Sequence, residues 1–173
     1  MYPGRDDGAT GVMEPPVTIR GAEPADLTAI TALQATSFPD PWDVDSIASL
    51  AALPGAVLLV AVRRSGELQG YVFGYAVTEV AELISIAVAP DARRLGFGER
   101  LLSAFEGVVA AVGAERVVLD VAADNASARR MYAAHGYVVV GGRPRYYQQG
   151  RVEPVDAVVM AHSLISDNDA FLS

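Results

Sequence analysis

The sequence predicts an α/β domain of the α+β kind, on three observations. β-length apolar runs alternate with helix-period stretches, and two neighbouring runs are joined as a hairpin around Ser65-Gly66. The chain has 173 residues, 51% of them hydrophobic, which suits one compact domain with one sizeable core.

The first strand is expected at residues 17–20. Pro24 and Asp26 open a helix with Leu27, Ile30 and Leu33 at helical spacing, and it ends before the turn Phe38-Pro39-Asp40-Pro41-Trp42. A second helix is expected over 43–53. Residues 56–63 and 67–78 form the hairpin, and 82–88, a continuous apolar run of strand length, is expected to be central and buried. After Pro90 the period turns helical, with Leu101, Leu102, Phe105, Val108, Val109 and Val112 on one apolar face and Gly113 as the stop. A strand over 117–121, a helix over 126–135 stopped by Gly136, and strands over 137–140 and 155–161 complete the order β-α-α-β-β-β-α-β-α-β-β. Residues 1–16 read as a flexible leader, with Met13 as an alternative start, 17–161 as the single domain, and 162–173 as a polar tail.

Composition removes much chemistry. All 13 basic residues are Arg; there is no Lys, no Cys, and His occurs only at 135 and 162. No Schiff-base lysine, Walker lysine, thiol nucleophile, disulfide or thiolate metal site can be built, and two distant histidines make a poor metal set, so no metal is expected. A net charge of −8 argues against nucleic-acid binding and against anionic membranes. The N-terminus lacks the basic and apolar regions of a signal peptide and no long apolar run spans a membrane, so a cytoplasmic protein is expected; a monomer is the expected state, with nothing in the sequence deriving it. Charge is uneven: residues 91–151 hold nine Arg against six acids, leaving −11 on the rest, which favours an anionic ligand in the former region and a cationic one in the latter.

Two segments carry chemistry. In Ile86-Ala87-Val88-Ala89-Pro90-Asp91-Ala92-Arg93-Arg94-Leu95-Gly96-Phe97-Gly98-Glu99, a strand runs through a short turn and two arginines into a glycine-flanked helix start. Free amides of a first helical turn point toward an anion, and glycines let phosphate oxygens reach the backbone. The third Gly of the dinucleotide fingerprint is missing, and Gly-Lys-Ser/Thr occurs nowhere. An ordinary strand-to-helix turn with solvated arginines accounts for the same residues. In the second segment, Asp120 interrupts the apolar strand run at 117–121, where Asp is disfavoured unless its face reaches solvent. Asn125 suits a helix N-cap, and Tyr132 lies two turns on, aligned with Ala128 and His135; core packing is the plainer reading of Tyr132.

Together, Arg93-Arg94-Leu95-Gly96-Phe97-Gly98 after a strand, Asn125 with Tyr132 seven residues later, and Gly136-Tyr137 resemble the GNAT superfamily of acetyl-CoA-dependent N-acetyltransferases. The resemblance spans about residues 17–161. It implies a mixed, mostly antiparallel sheet with a splayed parallel strand pair, here 82–88 and 117–121, that admits acetyl-CoA as cosubstrate. Within the superfamily, the Phe38-to-Trp42 turn, Ile86-Ala87-Val88, the Leu-acid-Val strand and Arg145-Tyr146-Tyr147 are similar to the RimI-type ribosomal-protein N-terminal alanine acetyltransferases. That similarity implies acetyl transfer to the α-amine of an alanine-starting, basic ribosomal-protein N-terminus.

The resemblance also implies site residues. The loop Arg93, Arg94, Leu95, Gly96, Phe97, Gly98 and Glu99 would hold the pyrophosphate, with Ile86, Ala87 and Val88 pairing the pantetheine arm and Asn125 bonding it. Asp120 would serve as proton acceptor and Tyr132 as donor to the departing thiolate. Phe38, Trp42, Tyr146 and Tyr147 would line the acceptor groove; for Phe38 and Trp42 packing is an equal reading. The RimI pattern has Glu at the Asp120 position, so this carboxylate ends roughly 1.5 Å short, and relay through one water is an alternative. An α-amine of pKa near 8 is about a tenth neutral at pH 7 and a lysine far less, so a modest base suits an α-amine. A GNAT acting on a small amine or a protein lysine, and a non-catalytic acetyl-CoA-binding module, are the competing readings.

Overall fold

The computed structural model describes residues 16–166; the expected leader up to residue 15, Met13 included, and the expected tail from residue 167 lie outside them. The elements in chain order are Val17–Gly21 (β1), Leu27–Ser37 (α1), Val44–Ala51 (α2), Ala56–Arg63 (β2), Leu68–Ala76 (β3), Val80–Val88 (β4), Phe97–Ala111 (α3), Arg116–Ala122 (β5), Ala126–Ala134 (α4), Val138–Tyr147 (β6) and Val155–Ser163 (β7). The strands form one sheet in the order β1-β2-β3-β4-β5-β7-β6, antiparallel throughout except for the parallel pair β4–β5. This is the mixed, mostly antiparallel α/β sheet expected.

Each face of the sheet has its own core. On one side Leu101, Leu102, Phe105 and Val109 of α3, all fully buried, pack with Leu59, Val72, Leu83, Val117 and Leu119. On the other, Ile30 and Leu33 of α1 and Ile47 of α2 pack with Val60, Val62, Tyr71 and Phe73. The α3 face is narrower than the sequence suggested. Val108 is 38% exposed at its margin, and Val112, 67% exposed, is the C-cap beyond the last turn. Gly74 lets α3 approach, since a Cβ there would strike the Phe105 ring.

Other expectations need correction. β4 is the central strand of seven, yet it is not buried throughout: Glu82 is exposed and Ile84 is 38% exposed. The reason is a bulge. Phe73 pairs with Ser85 but Gly74 pairs with Leu83, so Ile84 is left over and the side chains change faces. Leu83 therefore joins the α3-side core and Ala87 the α1-side core. β6 continues to Tyr147, well past the expected end at residue 140. Gly141-Gly142 and Pro144 read as breakers, but an edge strand tolerates them, and register shifts fall at Val139/Gly141 and Arg143/Tyr147. β7 continues to Ser163, two residues past the expected end of the domain, because Arg116 of β5 pairs with it. α2 is shorter than expected, opening at the Asp43 cap, whose carboxylate accepts from the Ser46 amide at 2.7 Å.

Candidate active site

The parallel pair holds only from Val80–Leu83 against Arg116–Leu119. Beyond it β4 and β5 part at the Ile84 bulge, and their facing backbone groups are left without a ladder. The pairing fixes which groups these are. Ala89 donates to the Gln69 carbonyl, so Ala87 and Ser85 also bond to β3, and the peptide groups of Ile86 and Val88 turn toward the opening. Likewise Ala123 donates to Asp156, so the peptide groups of Asp120 and Ala122 face the opening from β5. A cavity of about 1150 Å³ occupies this opening and runs out on both faces of the sheet. Ile86, Ala87, Val88, Asp120, Asn125 and Tyr132 line it, together with Phe38, Trp42, Tyr146 and Tyr147.

At one end is the loop before α3. No backbone amide from Arg93 to Glu99 has an acceptor among the described residues, although those of Ala92 and Arg100 on either side do. Arg94 and Gly96 both adopt positive φ, 63° and 77°, which turns successive amides inward as a nest. With the positive end of the α3 dipole behind them, these amides form a ready anion cradle. The two glycines differ in role. Gly96 meets nothing within 4 Å and is required by its backbone angle, whereas a Cβ at Gly98 would lie 2.8 Å from the Met131 sulfur of α4. Arg93, Arg94, Phe97 and Glu99 line the cavity; Leu95 does not, and its side chain is 42% exposed. Arg93 Nε donates to the Val88 carbonyl at 3.2 Å, occupying one of the groups expected to meet the pantetheine arm.

Asn125 caps α4, its Oδ1 accepting from the Ala128 amide at 3.2 Å, and its NH2 group has no acceptor among the described residues. Tyr132, 5% exposed, packs against the Tyr137 ring at 5.6 Å, and none of the described residues hydrogen-bonds its phenol. Burial holds that phenol well above the ordinary tyrosine range, and it stays protonated at neutral pH. Core packing and cavity access are thus both true of Tyr132. Asp120 lies on the strand face that reaches the cavity, and Arg143 Nε donates to its Oδ1 at 3.2 Å.

The far end is aromatic. Trp42 packs edge-on against Phe73 at 5.9 Å, and its amide donates to Gln34 Oε1, so Trp42 and Phe38 serve the α1-side core as well as the cavity wall. Tyr146 and Tyr147 meet at 5.1 Å, at right angles. Burial, then the negative charge of Asp120, push the Tyr147 phenol up to about 12. Beneath them lies a buried triad that sequence reading missed. Gln34 Nε2 donates to the Tyr71 phenol at 2.7 Å, and that phenol shares a 2.7 Å hydrogen bond with Ser85 Oγ. Gln34 interrupts the apolar stripe of α1 four residues after Ile30, which is a readable signal. Arg143 gave none, because its partner is set by a sheet order that places β7 between β5 and β6. Among the described residues no cluster of three or more His, Asp or Glu is placed to hold a metal, and no helix is long and apolar enough to cross a membrane.

A splayed parallel pair, a run of unpaired amides at the start of a helix, and a carboxylate and a buried phenol thus share one cavity. The Acetyltransferase (GNAT) family matches residues 27–137, and the chain belongs to that family. It is 30% identical over 146 residues, 83% of this chain and 95% of the relative, to the ribosomal protein bS18-alanine N-acetyltransferase of Escherichia coli strain K12. The crystal structure of the Escherichia coli ribosomal-protein-S18-alanine N-acetyltransferase superposes with a TM-score of 0.78 at 27% identity, covering 88% of this chain and 97% of that one. Ard1 from Thermoplasma volcanium superposes with a TM-score of 0.77 at 25% identity, covering 87% and 99%.

Proposed function

We propose that this acetyltransferase transfers the acetyl group of acetyl-CoA to the N-terminal α-amine of a protein, an alanine-starting ribosomal protein in particular. The observation that carries the reading is the convergence of Asp120 and Tyr132 on one cavity whose other end is the unpaired amide run from Arg93 to Glu99. Similarity to the bS18-alanine enzyme of Escherichia coli supports the choice of acceptor.

The fit to the cosubstrate rests on chain groups. The amides of Arg94, Gly96, Gly98 and Glu99 suit the pyrophosphate, the Ile86 and Val88 peptide groups suit the amide-bearing arm, and the Asn125 NH2 suits a carbonyl on it. Bound there, acetyl-CoA supplies the thioester. A backbone amide at the bulge would polarise its carbonyl. As the C–N bond forms and the C–S bond breaks, Asp120 accepts the amine proton, directly or through one water, and Tyr132 gives its proton to the sulfur. Tyr132 is protonated at neutral pH, as the second role requires, and an α-amine of pKa near 8 asks little of the first. Phe38, Trp42, Tyr146 and Tyr147 would flank the acceptor backbone. The acidic balance outside residues 91–151 supports a basic tail.

The test is acetyl-CoA consumption with mass-spectrometric site assignment on three peptides: the alanine-starting ribosomal N-terminus, the same with its α-amine blocked, and a lysine-bearing control. Turnover of the free terminus alone supports the proposal. Turnover of the lysine-bearing control moves the acceptor to lysine, turnover of the blocked peptide moves it off the α-amine, and tight acetyl-CoA binding with no turnover leaves a binding module.

A further inference from the structure

Arg143 reaches Asp120 across an intervening strand. Asp120 pairs with Val159 of β7, which pairs with Gly141 of β6; one row along, Ala122 pairs with Ala157, which pairs with Arg143. All of these residues share one face of the sheet. Arg143 stands opposite Ala157, whose side chain is only a methyl, and its guanidinium reaches past Val159 to the Asp120 row. It donates through Nε to Asp120 Oδ1 at 3.2 Å and stacks over the Tyr146 ring at 5.6 Å from its centroid. Among the described residues Oδ2 of Asp120 has no hydrogen-bond partner, and Asp120 lines the cavity.

We infer that Arg143 is a positioning residue of acetyl transfer: it holds one oxygen of Asp120 so that the other faces the incoming amine. The inference rests on the proposed role of Asp120 as proton acceptor. A short carboxylate at the back of an open cavity samples several rotamers, and only some aim an oxygen at the reacting nitrogen. One fixed donor narrows that set, and a misplacement of about an ångström is costly in such a step. Tyr146 in turn limits where the guanidinium can go, which gives that aromatic a part in the site besides flanking the acceptor.

The experiment compares wild type, Arg143→Met, Arg143→Lys, Asp120→Asn and the double variant Asp120→Asn/Arg143→Met. Rates are taken with whichever amine of the panel wild type turns over, or on slow acetyl-CoA hydrolysis if it turns over none. Arg143→Met is expected to lower kcat roughly tenfold with the KM for acetyl-CoA within about twofold, and Arg143→Lys to regain part of the loss. In the Asp120→Asn background the same substitution should change kcat by less than about twofold, because the amide oxygen still accepts from Arg143 but the proton acceptor it positions is gone. Equal factors in the two backgrounds would overturn the inference, as would no effect in wild type. If Asp120→Asn alone runs at the wild-type rate, the base assignment fails first and the role of Arg143 falls with it. That failure is read without any Arg143 variant.

Discussion

Glu106 of α3 and Tyr137, just before β6, are joined by a 3.0 Å hydrogen bond from the phenol to Oε1. The same carboxylate meets His162 Nδ1 at 3.0 Å and His135 Nε2 at 2.9 Å, so both histidines of the chain converge on one acid. The cluster ties α3, the end of α4 and β7 together, and the Tyr137 ring packs against Tyr132. Removing the acid leaves three polar groups with little access to solvent. Glu106→Ala is therefore expected to lower stability by about 2–3 kcal/mol, and Glu106→Gln by less, because the amide oxygen still accepts. Urea unfolding midpoints at neutral pH check both.

Asn125 has two jobs that substitution can separate. Its Oδ1 caps α4, and the residue lines the cavity with an NH2 group that has no acceptor among the described residues. Asn125→Asp keeps the cap acceptor but loses the donor, so stability should hold while acetyl-CoA affinity falls. Asn125→Ala should lose both, with about 1 kcal/mol of stability gone. Thermal unfolding alongside calorimetric titration of acetyl-CoA distinguishes them; equal affinity in Asn125→Asp and wild type would leave Asn125 as a cap only.

Gly98 is explained by the Met131 sulfur, with or without a ligand. Gly98→Ala should destabilise the chain by about 1 kcal/mol or less, since the flexible Met131 thioether can shift, and Met131→Ala in the same chain should relieve that clash. If Gly98 also admits phosphate, the relieved double variant folds yet binds acetyl-CoA weakly. Restored binding would make helix packing the whole reason for glycine there.

Tyr132→Phe removes one hydroxyl that no other described residue bonds, so little stability should be lost. Turnover should fall by about 10²–10³ while acetyl-CoA binding is kept, the signature of a proton donor. Full activity in the variant would remove Tyr132 from the mechanism.

The element order and the placing of most site residues were legible because they are local: strand length, helical spacing, and Gly and Asn at helix ends are written within a few residues. What escaped was set at a distance. The bulge at Ile84 depends on β3 pairing past Gly74, and it turned an expected buried strand into one that changes faces. β6 hid its length behind Gly141, Gly142 and Pro144, which an edge position permits. Arg143 with Asp120, Gln34 with Tyr71 and Ser85, and Glu106 with both histidines are polar partners separated by many residues, and only the sheet order brings them together. Leu95 stands apart for another reason: it lies inside the motif, yet its side chain is exposed outside the cavity lining and only its amide belongs to the loop's unpaired run.

The buried phenols give the fold an alkaline limit. Tyr71, 1% exposed, is pushed up to about 12 by burial, with its hydrogen bonds to Ser85 and Gln34 opposing, and Tyr147 is also held near 12. In the unfolded chain both titrate near 10, so above that pH the unfolded state binds fewer protons than the folded one. Stability should therefore be unaffected by these groups below about pH 10 and fall as pH rises from about 10 to 12, Tyr71 alone accounting for a loss on the order of 2 kcal/mol. Tyr71→Phe should flatten that alkaline slope. At neutral pH the same variant leaves Gln34 and Ser85 without their shared partner and should cost about 1–3 kcal/mol. Urea unfolding from pH 7 to 11.5 tests both effects in one series: curves for wild type and Tyr71→Phe that start apart and converge at high pH are expected, and parallel curves would show that Tyr71 ionises as freely folded as unfolded.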